Sequence, residues 1–326
     1  MKTLRKVGMA FLAVLLCGSM AACSEDDGDG DGDGGGTGID KVTLATPEYE
    51  EHAALYEVEG SNEYESIELT ASGDYIITKA GYYYANKLLK PELQKKNRWA
   101  RSFNMLDCGV RPTRESYNGI IYGKYTVTSE GVYELEGFGT LELTGSSDDA
   151  VALVVTPNGG TAETMTAAVK TQAPNSDITN ALCRTWEVKG FRMVIKWNGK
   201  KMLDETGYIN NLDDFARRIS EKVGEDLTVE DLFGEALPKD VVFTKAGTYM
   251  VSYTNEMLAV STWTWENPET GLLRYSWDYD DMYDEELAGN AYISFKNNDL
   301  YLNEKFSETD EDGKYEEELI TILSEK

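Results

Sequence analysis

Aromatic rings and carboxylates alternate through one segment near the C-terminus, residues 263–284. The residues predicted to bind a ligand are Trp263, Trp265, Tyr275, Trp277, Asp278 and Tyr279, and the segment also contains Tyr283 and the acidic residues Glu266, Asp280, Asp281 and Asp284. An aromatic plane covers the apolar face of a pyranose, and a carboxylate accepts hydrogen bonds from sugar hydroxyl groups. The segment therefore predicts a binding site for a glycan or another small ligand.

The same rings have a second interpretation, as packing inside a β-barrel. Residues two apart share one face of a strand, so Trp263 and Trp265 point one way, and Tyr275, Trp277 and Tyr279 form one face of the next strand. Tyrosine and tryptophan are favoured in strands, and large side chains fill the interior of small barrels. Packing is the favoured interpretation, and the ligand site stays open beside it.

A single histidine, His52, restricts the catalytic mechanisms open to the chain. A Ser-His-Asp triad, a Cys-His pair and a histidine-rich metal site would each need it, and its neighbours match no catalytic pattern. We expect it to be a surface residue. Paired carboxylates hydrolyse glycosides without histidine, but nothing marks one pair among the 58 acidic residues. The sequence predicts a protein that is not an enzyme, with a carboxylate-dependent glycoside hydrolase as the remaining catalytic alternative.

Two acidic clusters contain the oxygen ligands that calcium prefers. The residues of the first match the spacing of a calcium loop, but no helix flanks them: Asp29, Asp31, Asp33, Gly34 and Asp40. The second cluster is Asp278–Asp281. We interpret the first as a solvated tether and the second as a solvated loop, and we predict neither a metal nor a cofactor.

The first 22 residues predict export. A basic head, an apolar run over Gly8–Leu16 and small residues after it form a secretory signal, too short to span a membrane. Met20-Ala21-Ala22-Cys23 resembles a lipobox, apart from Met20, where leucine is usual. The resemblance implies that Cys23 is acylated and anchors the chain in lipid. The alternative is an ordinary cleaved signal followed by an incidental cysteine.

Residues 23–40 form an acidic Gly/Asp tether, flexible because of its glycine content. Acidic residues directly after the lipid-bearing cysteine resemble the surface-export signal of Bacteroidota lipoproteins, which implies a surface-exposed outer-membrane protein. Loss of residues 1–22 removes three basic residues and lowers the formal charge from −27 to −30. Such a charge excludes nucleic acid and favours neutral partners such as glycans.

Cys108 and Cys183 are the cysteines of the mature body. In an oxidising envelope they pair as a disulfide or stay as two free thiols, and both alternatives are open. The chain contains no Cys-x-x-Cys motif, which argues against a zinc knuckle or a dithiol redox site.

The fold class is predicted to be mainly β, with an N-terminal β-rich domain over residues 41–175 and a C-terminal one over residues 180–326. A short similarity supports two related halves, because Thr78–Tyr83 recurs as Thr244–Tyr249 and, more loosely, as Thr128–Tyr133. Each copy predicts a hairpin in which glycine takes the positive-φ turn position.

The C-terminal domain is predicted to be an antiparallel meander, either a small barrel or a strongly curved sheet, with one or two short helices. Apolar residues recur at helical spacing over 212–223. Asn211 is placed to cap this helix and Gly224 to end it. A shorter helix is predicted to start at Thr228.

The C-terminal half also resembles a known group of domains. The segment Leu182–Trp186, the capped helix, the segment Val242–Tyr249 and the motifs Trp263-Thr264-Trp265 and Tyr275-Ser276-Trp277 follow in that order. They resemble the lipocalin-like domains of Bacteroidota surface lipoproteins, over residues 180–326. The resemblance implies a fold and a surface location, and ligand binding only by analogy. A structural or adhesive envelope component without a small ligand is the alternative.

Overall fold

A computed structural model describes residues 44–81, 119–146, 150–170, 172–173, 175–233, 236–276, 288–310 and 313–326. Five residues with predicted roles lie outside these ranges: Cys23, Cys108, Trp277, Asp278 and Tyr279. Both acidic clusters considered for calcium lie outside them as well.

The N-terminal half forms a closed eight-stranded antiparallel barrel. Each strand pairs with the next, and β8 pairs with β1 to close the ring. Its strands are β1 (Ala54–Glu59), β2 (Tyr64–Leu69), β3 (Asp74–Lys79), β4 (Ile120–Ser129), β5 (Val132–Leu135), β6 (Gly139–Ser146), β7 (Val151–Pro157) and β8 (Glu163–Val169). Alternate residues point inward, where tyrosines and branched aliphatic residues form one buried core.

The described residues of the C-terminal half form nine strands, of which eight close a second barrel. They are β9 (Thr185–Trp197), β10 (Lys200–Tyr208), β11 (Pro238–Phe243), β12 (Thr248–Tyr253), β13 (Leu258–Asn267), β14 (Leu272–Ser276), β15 (Ala288–Lys296), β16 (Asp299–Asp310) and β17 (Gly313–Glu325). Strand β9 pairs with β17 on one side and, on the other, with β11 through its first residues and with β10 through its last ones. The predicted meander is therefore a barrel, and strand β10 lies outside its ring.

Three short helices complete the described fold: α1 (Asp177–Leu182), α2 (Leu212–Val223) and α3 (Val229–Phe233). The apolar side of α2 is buried, and Phe215 packs against Gly207 of β10 and against Phe233 of α3. None of the helices in the described ranges is long and apolar enough to cross a membrane.

The predicted ends of α2 were right in position and partly wrong in mechanism. Gly224 ends the helix in the left-handed conformation, with φ of 73°. Asn211 occupies the N-cap position, but its side chain makes no capping bond to the helix. Its Oδ1 instead accepts a hydrogen bond from the backbone N–H of Tyr208, at 2.9 Å, because the chain makes a 3₁₀ turn before the helix begins.

The glycine of the repeated turn motif has the predicted backbone in all three copies, and the predicted hairpin is confirmed for the copies at Gly131 and Gly247; Tyr82 and Tyr83 of the first copy lie outside the described residues. Gly81, Gly131 and Gly247 have φ values of 83°, 70° and 86°. Gly131 connects β4 to β5 and Gly247 connects β11 to β12. The positive φ explains why glycine occupies this place in each copy.

The two barrels pack side by side through the outer faces of their strands. A separate apolar cluster lies between them, and its members are Ile76, Ile120, Val242, Met250 and Val260. Strand β12 is buried at all six positions, whereas β15 alternates between buried and exposed residues. A strand buried on both faces lies between two packed layers. We call this contact the joint.

Polar side chains bridge the joint beside the apolar cluster. Asp74 of β3 is 1 % exposed and accepts a hydrogen bond from the Thr185 hydroxyl of β9, at 2.6 Å. Its other oxygen accepts one from the Tyr122 hydroxyl, at 2.9 Å, and lies 2.7 Å from Lys124 Nζ. The backbone N–H of Thr185 donates to the Ser72 hydroxyl, at 3.0 Å. The joint therefore consists of a packed apolar patch and specific hydrogen bonds.

Candidate functional site

The described members of the predicted aromatic segment lie in or beside the core of the second barrel. Trp263 is 2 % exposed, and its Nε1–H donates to the Thr244 carbonyl, at 3.1 Å. Trp265 is partly exposed, and its Nε1–H donates to the Thr179 hydroxyl, at 3.0 Å. The placement of Trp263 agrees with the packing interpretation. A role of Trp263 in ligand binding stays a prediction.

Tyr275 is buried as well, but its hydroxyl reaches a carboxylate. It pairs with Trp263 on one side and with Gly289 on the other. A Cβ at Gly289 would lie 2.3 Å from the Tyr275 hydroxyl oxygen, so only glycine lets the ring lie across β15. The hydroxyl then donates to Glu304 of β16, at 2.5 Å. Burial and the nearby Glu304 carboxylate raise the pKa of Tyr275 well above its ordinary value, which keeps the phenol protonated as a donor.

Glu304 belongs to a row of inward-facing residues that runs out of the barrel along β16. Leu300 and Leu302 are buried in the core, and Glu304 and Phe306 continue the same face at a spacing of two. Phe306 is 38 % exposed, since the strand extends past the packed core. The row thus changes from apolar core to carboxylate to exposed ring.

The neighbouring strands add matching side chains to this face. Glu317 of β17 pairs with Phe306 in register and is 5 % exposed. Tyr315 precedes Glu317 by two residues on β17, and its hydroxyl donates to Glu317, at 2.9 Å. Trp197 of β9 pairs directly with Tyr315 and is partly exposed. Directly opposed residues share a face of the sheet.

We call this surface the ring–carboxylate face, and its members are Trp197, Tyr275, Glu304, Phe306, Tyr315 and Glu317. The rings of Phe306 and Tyr315 lie 6.5 Å apart, at an interplanar angle of 61°. The tyrosine hydroxyls donate to the carboxylates and hold them in place. A carboxylate has several acceptor positions, so a bond from one tyrosine hydroxyl does not by itself use all of them. The face therefore combines the exposed ring of Phe306 and the partly exposed rings of Trp197 and Tyr315 with carboxylates held by tyrosine hydroxyls.

Only Tyr275 of this face was among the predicted ligand-binding residues. The other members were missed, although the strand pattern contained a signal for Glu304. In Leu300–Phe306 the inward positions are leucine, leucine, glutamate and phenylalanine, so a carboxylate stands at an inward position. A charged residue at such a position needs a partner or a function. The strands that lie next to Glu304 depend on how the barrel closes, and the alternation pattern does not show this.

The remaining candidate side chains, His52 and Cys183, pack against other residues of the fold. His52 is partly exposed, its Nε2 lies 3.4 Å from a Glu51 oxygen, and its ring packs edge-on against Tyr133. Cys183 is buried and forms no disulfide with a described residue, and burial raises the pKa of its thiol above the ordinary value. Its pairing with Cys108 stays a prediction, because Cys108 lies outside the described residues.

Within the described ranges, no group of three histidine, cysteine or acidic residues is placed to hold a metal ion. The two carboxylates of the ring–carboxylate face accept hydrogen bonds from tyrosine. The arrangement suits recognition of a ligand that has hydrogen-bond donors and an apolar face.

Comparison with known proteins adds little. No protein-family model matches the chain, and no curated protein matches it. One solved structure was found, the isotype 1 transferrin binding protein B (TbpB) from serogroup B Neisseria meningitidis. The alignment has 12 % sequence identity and a TM-score of 0.19, and it covers 64 % of this chain and 38 % of that protein. A TM-score this low carries no weight for fold or function.

Proposed function

We propose that this chain is a lipid-anchored surface protein that binds a glycan, or another small neutral ligand, at the ring–carboxylate face, without catalysing a reaction. The observation that supports the proposal most is the exposed ring of Phe306, next to Tyr315 and beside the buried carboxylate of Glu317. A pyranose ring stacked on these rings would place its hydroxyl groups near acceptors that are already oriented.

The charge of the chain favours the same class of ligand. With a formal net charge of −27, it repels acidic polymers and leaves neutral glycans unaffected. Orientation of both carboxylates by tyrosine hydroxyls lowers the entropic cost of binding, because the acceptors need not be ordered again.

The proposed location rests on the first 40 residues. The lipobox-like segment ending in Cys23 and the acidic residues after it support an outer-membrane anchor with the barrels outside the cell. The resemblance of residues 180–326 to lipocalin-like domains of Bacteroidota lipoproteins agrees with this location.

Removal of the anchoring cysteine provides a direct test of the location. In cells grown with a labelled fatty acid, wild-type protein should carry the label, and Cys23→Ser should carry none and leave the membrane fraction. Cys17→Ser, which changes a cysteine within the predicted signal, should keep the label. Equal labelling of wild type and Cys23→Ser would contradict lipidation at this residue.

A glycan-array screen of the chain from Ser24 onward tests the ligand. For any glycan bound, Phe306→Ala should raise the Kd about tenfold, which corresponds to ~1.4 kcal/mol. Phe306 is partly exposed, so the variant should stay folded. Tyr292→Ala is the matched control, because Tyr292 is 42 % exposed on β15, outside the face, and its loss should leave Kd unchanged.

The outcomes of the screen separate the alternatives. Specific binding that Phe306→Ala weakens supports the proposal, and equal binding by Phe306→Ala would place the ligand elsewhere. Binding followed by release of new reducing ends would instead favour the carboxylate-dependent hydrolase. No binding to any glycan would favour a structural or adhesive role.

A further inference from the structure

Glu68 lies within the joint and is almost completely buried. It points outward from β2 of the first barrel, yet it is 2 % exposed, because the second barrel covers it. Thr244 and Lys245 of the second barrel border the same small pocket as Glu68, and the Thr244 and Thr248 side chains act to lower its pKa. Both threonines flank the turn between β11 and β12, the second copy of the repeated motif. Glu68 is therefore a contact between the barrels.

The turn that covers Glu68 is held by further contacts to the first barrel. The Lys245 ammonium pairs with Glu50, and the Lys245 carbonyl accepts a hydrogen bond from the Ala173 N–H, at 2.6 Å. A small pocket with a volume of about 10 Å³ lies beside Glu68 and is also bordered by Cys183 and Gln172. Residues of the turn line the same pocket, so movement of the turn would widen it beside the carboxyl group.

The charged groups near Glu68 form ion pairs with residues other than Glu68. In the described part of the chain, the groups on the elements around it are Lys170 with Glu57, Lys245 with Glu50, Arg184 with Glu325, Asp74 with Lys124, and the Cys183 thiol. Burial is the largest influence on the pKa of Glu68 and raises it, whereas the Thr244 and Thr248 side chains and Lys170 lower it by less. The net effect is a rise of the Glu68 pKa from 4.5 to about 7.

We propose that the joint is a proton-operated coupling, in which protonated Glu68 holds the two barrels as one body and its ionisation frees the β11–β12 turn from the first barrel. The buried position favours the neutral acid, whereas a carboxyl group that meets water on opening favours the carboxylate. Near neutral pH, the closed joint therefore binds more protons than the open joint does.

The direction of the pH effect follows from the raised pKa. The closed joint holds the proton up to pH about 7, and the open joint releases it at about 4.5. Stability of the closed joint is fully present below pH 4.5 and is lost progressively as the pH rises to about 7. The opening equilibrium should increase by up to roughly 300-fold over this range.

Amide hydrogen exchange measured by NMR reports opening directly. The Thr185 N–H donates to Ser72 across the joint. The Ala173 N–H, in the segment between the barrels, donates to the Lys245 carbonyl of the β11–β12 turn, so it reports release of that turn. Exchange of these amides is compared between wild type and Glu68→Gln at each pH, which cancels the intrinsic pH dependence of exchange. The ratio of wild-type to variant rates should rise on the order of 50-fold between pH 5 and pH 8.

Two controls separate this effect from general unfolding. Glu134→Gln, which changes an exposed carboxylate on β5 of the same barrel, should follow wild type at every pH. The amide of Leu153, in the core of the first barrel, exchanges when that barrel unfolds and should stay much slower than Thr185 at every pH. If Glu68→Gln does not fold, the wild-type Thr185 rate, corrected for intrinsic exchange, should still rise between pH 5 and pH 8. A flat corrected rate, or corrected rates of Thr185 and Leu153 that are equal at each pH, would overturn the proposal.

Discussion

Replacement of Trp263 by alanine is expected to lower the free energy of unfolding by about 3–5 kcal/mol. The ring is 2 % exposed and contacts Trp265 and Phe243, with centroid distances of 5.4 Å and 6.0 Å. Truncation leaves a cavity in the barrel and also leaves the Thr244 carbonyl without its indole donor. Urea unfolding followed by circular dichroism measures the loss.

The matched control for Trp263→Ala is Tyr292→Ala. Tyr292 is an aromatic residue of the same barrel that is 42 % exposed, so its loss should change stability by no more than about 0.5 kcal/mol. If Trp263→Ala instead loses little stability and abolishes binding of a glycan found in the array screen, the ring belongs to a ligand site and the packing interpretation fails.

Asp74→Ala is expected to cost about 2–4 kcal/mol and to weaken the joint. The buried carboxylate accepts hydrogen bonds from Thr185 and Tyr122, and each hydroxyl left without a partner costs about 1–3 kcal/mol. Lys124 adds less to the loss, because its side chain is 54 % exposed and can be hydrated. A two-barrel chain need not unfold in one step, so unfolding should be followed by amide signals from both barrels.

Lys124→Ala is the comparison for Asp74→Ala, since it removes the cation and keeps both hydroxyl bonds. We expect it to cost less than about 1 kcal/mol. Asp74→Asn should fall between the two alanine variants, because the amide oxygen still accepts one hydrogen bond. Equal stability of Asp74→Ala and wild type would show that the bridge across the joint contributes nothing.

Local features of the fold were predictable because they depend on neighbours in the chain. The helix over Leu212–Val223 follows from apolar spacing, and its end at Gly224 follows from the left-handed conformation that glycine allows. The hairpin at Gly247 follows from the same property. Strand β10 escaped prediction, since its residues Lys200–Tyr208 are largely polar or glycine and show little apolar alternation.

The candidate site was predicted only in part, for a reason that concerns distance along the chain. Tyr275 was identified from its aromatic neighbours, but Glu304 and Glu317 come from strands that follow it by 29 and 42 residues. Their approach requires pairing of β15, β16 and β17, and a glycine at position 289 that lets the Tyr275 ring cross. No short-range pattern contains that information.

The sequence by itself determined the mainly β class and the turns, because each follows from composition or from residues close together in the chain. The export signal and the acidic tether follow from the same kind of local pattern and stay predictions. Tertiary structure alone decided which faces are buried. Glu68 and Asp74 lie on outward positions of their strands, where a pattern of alternation predicts exposure. They are buried because a second barrel packs over them, and that contact joins residues more than 100 positions apart.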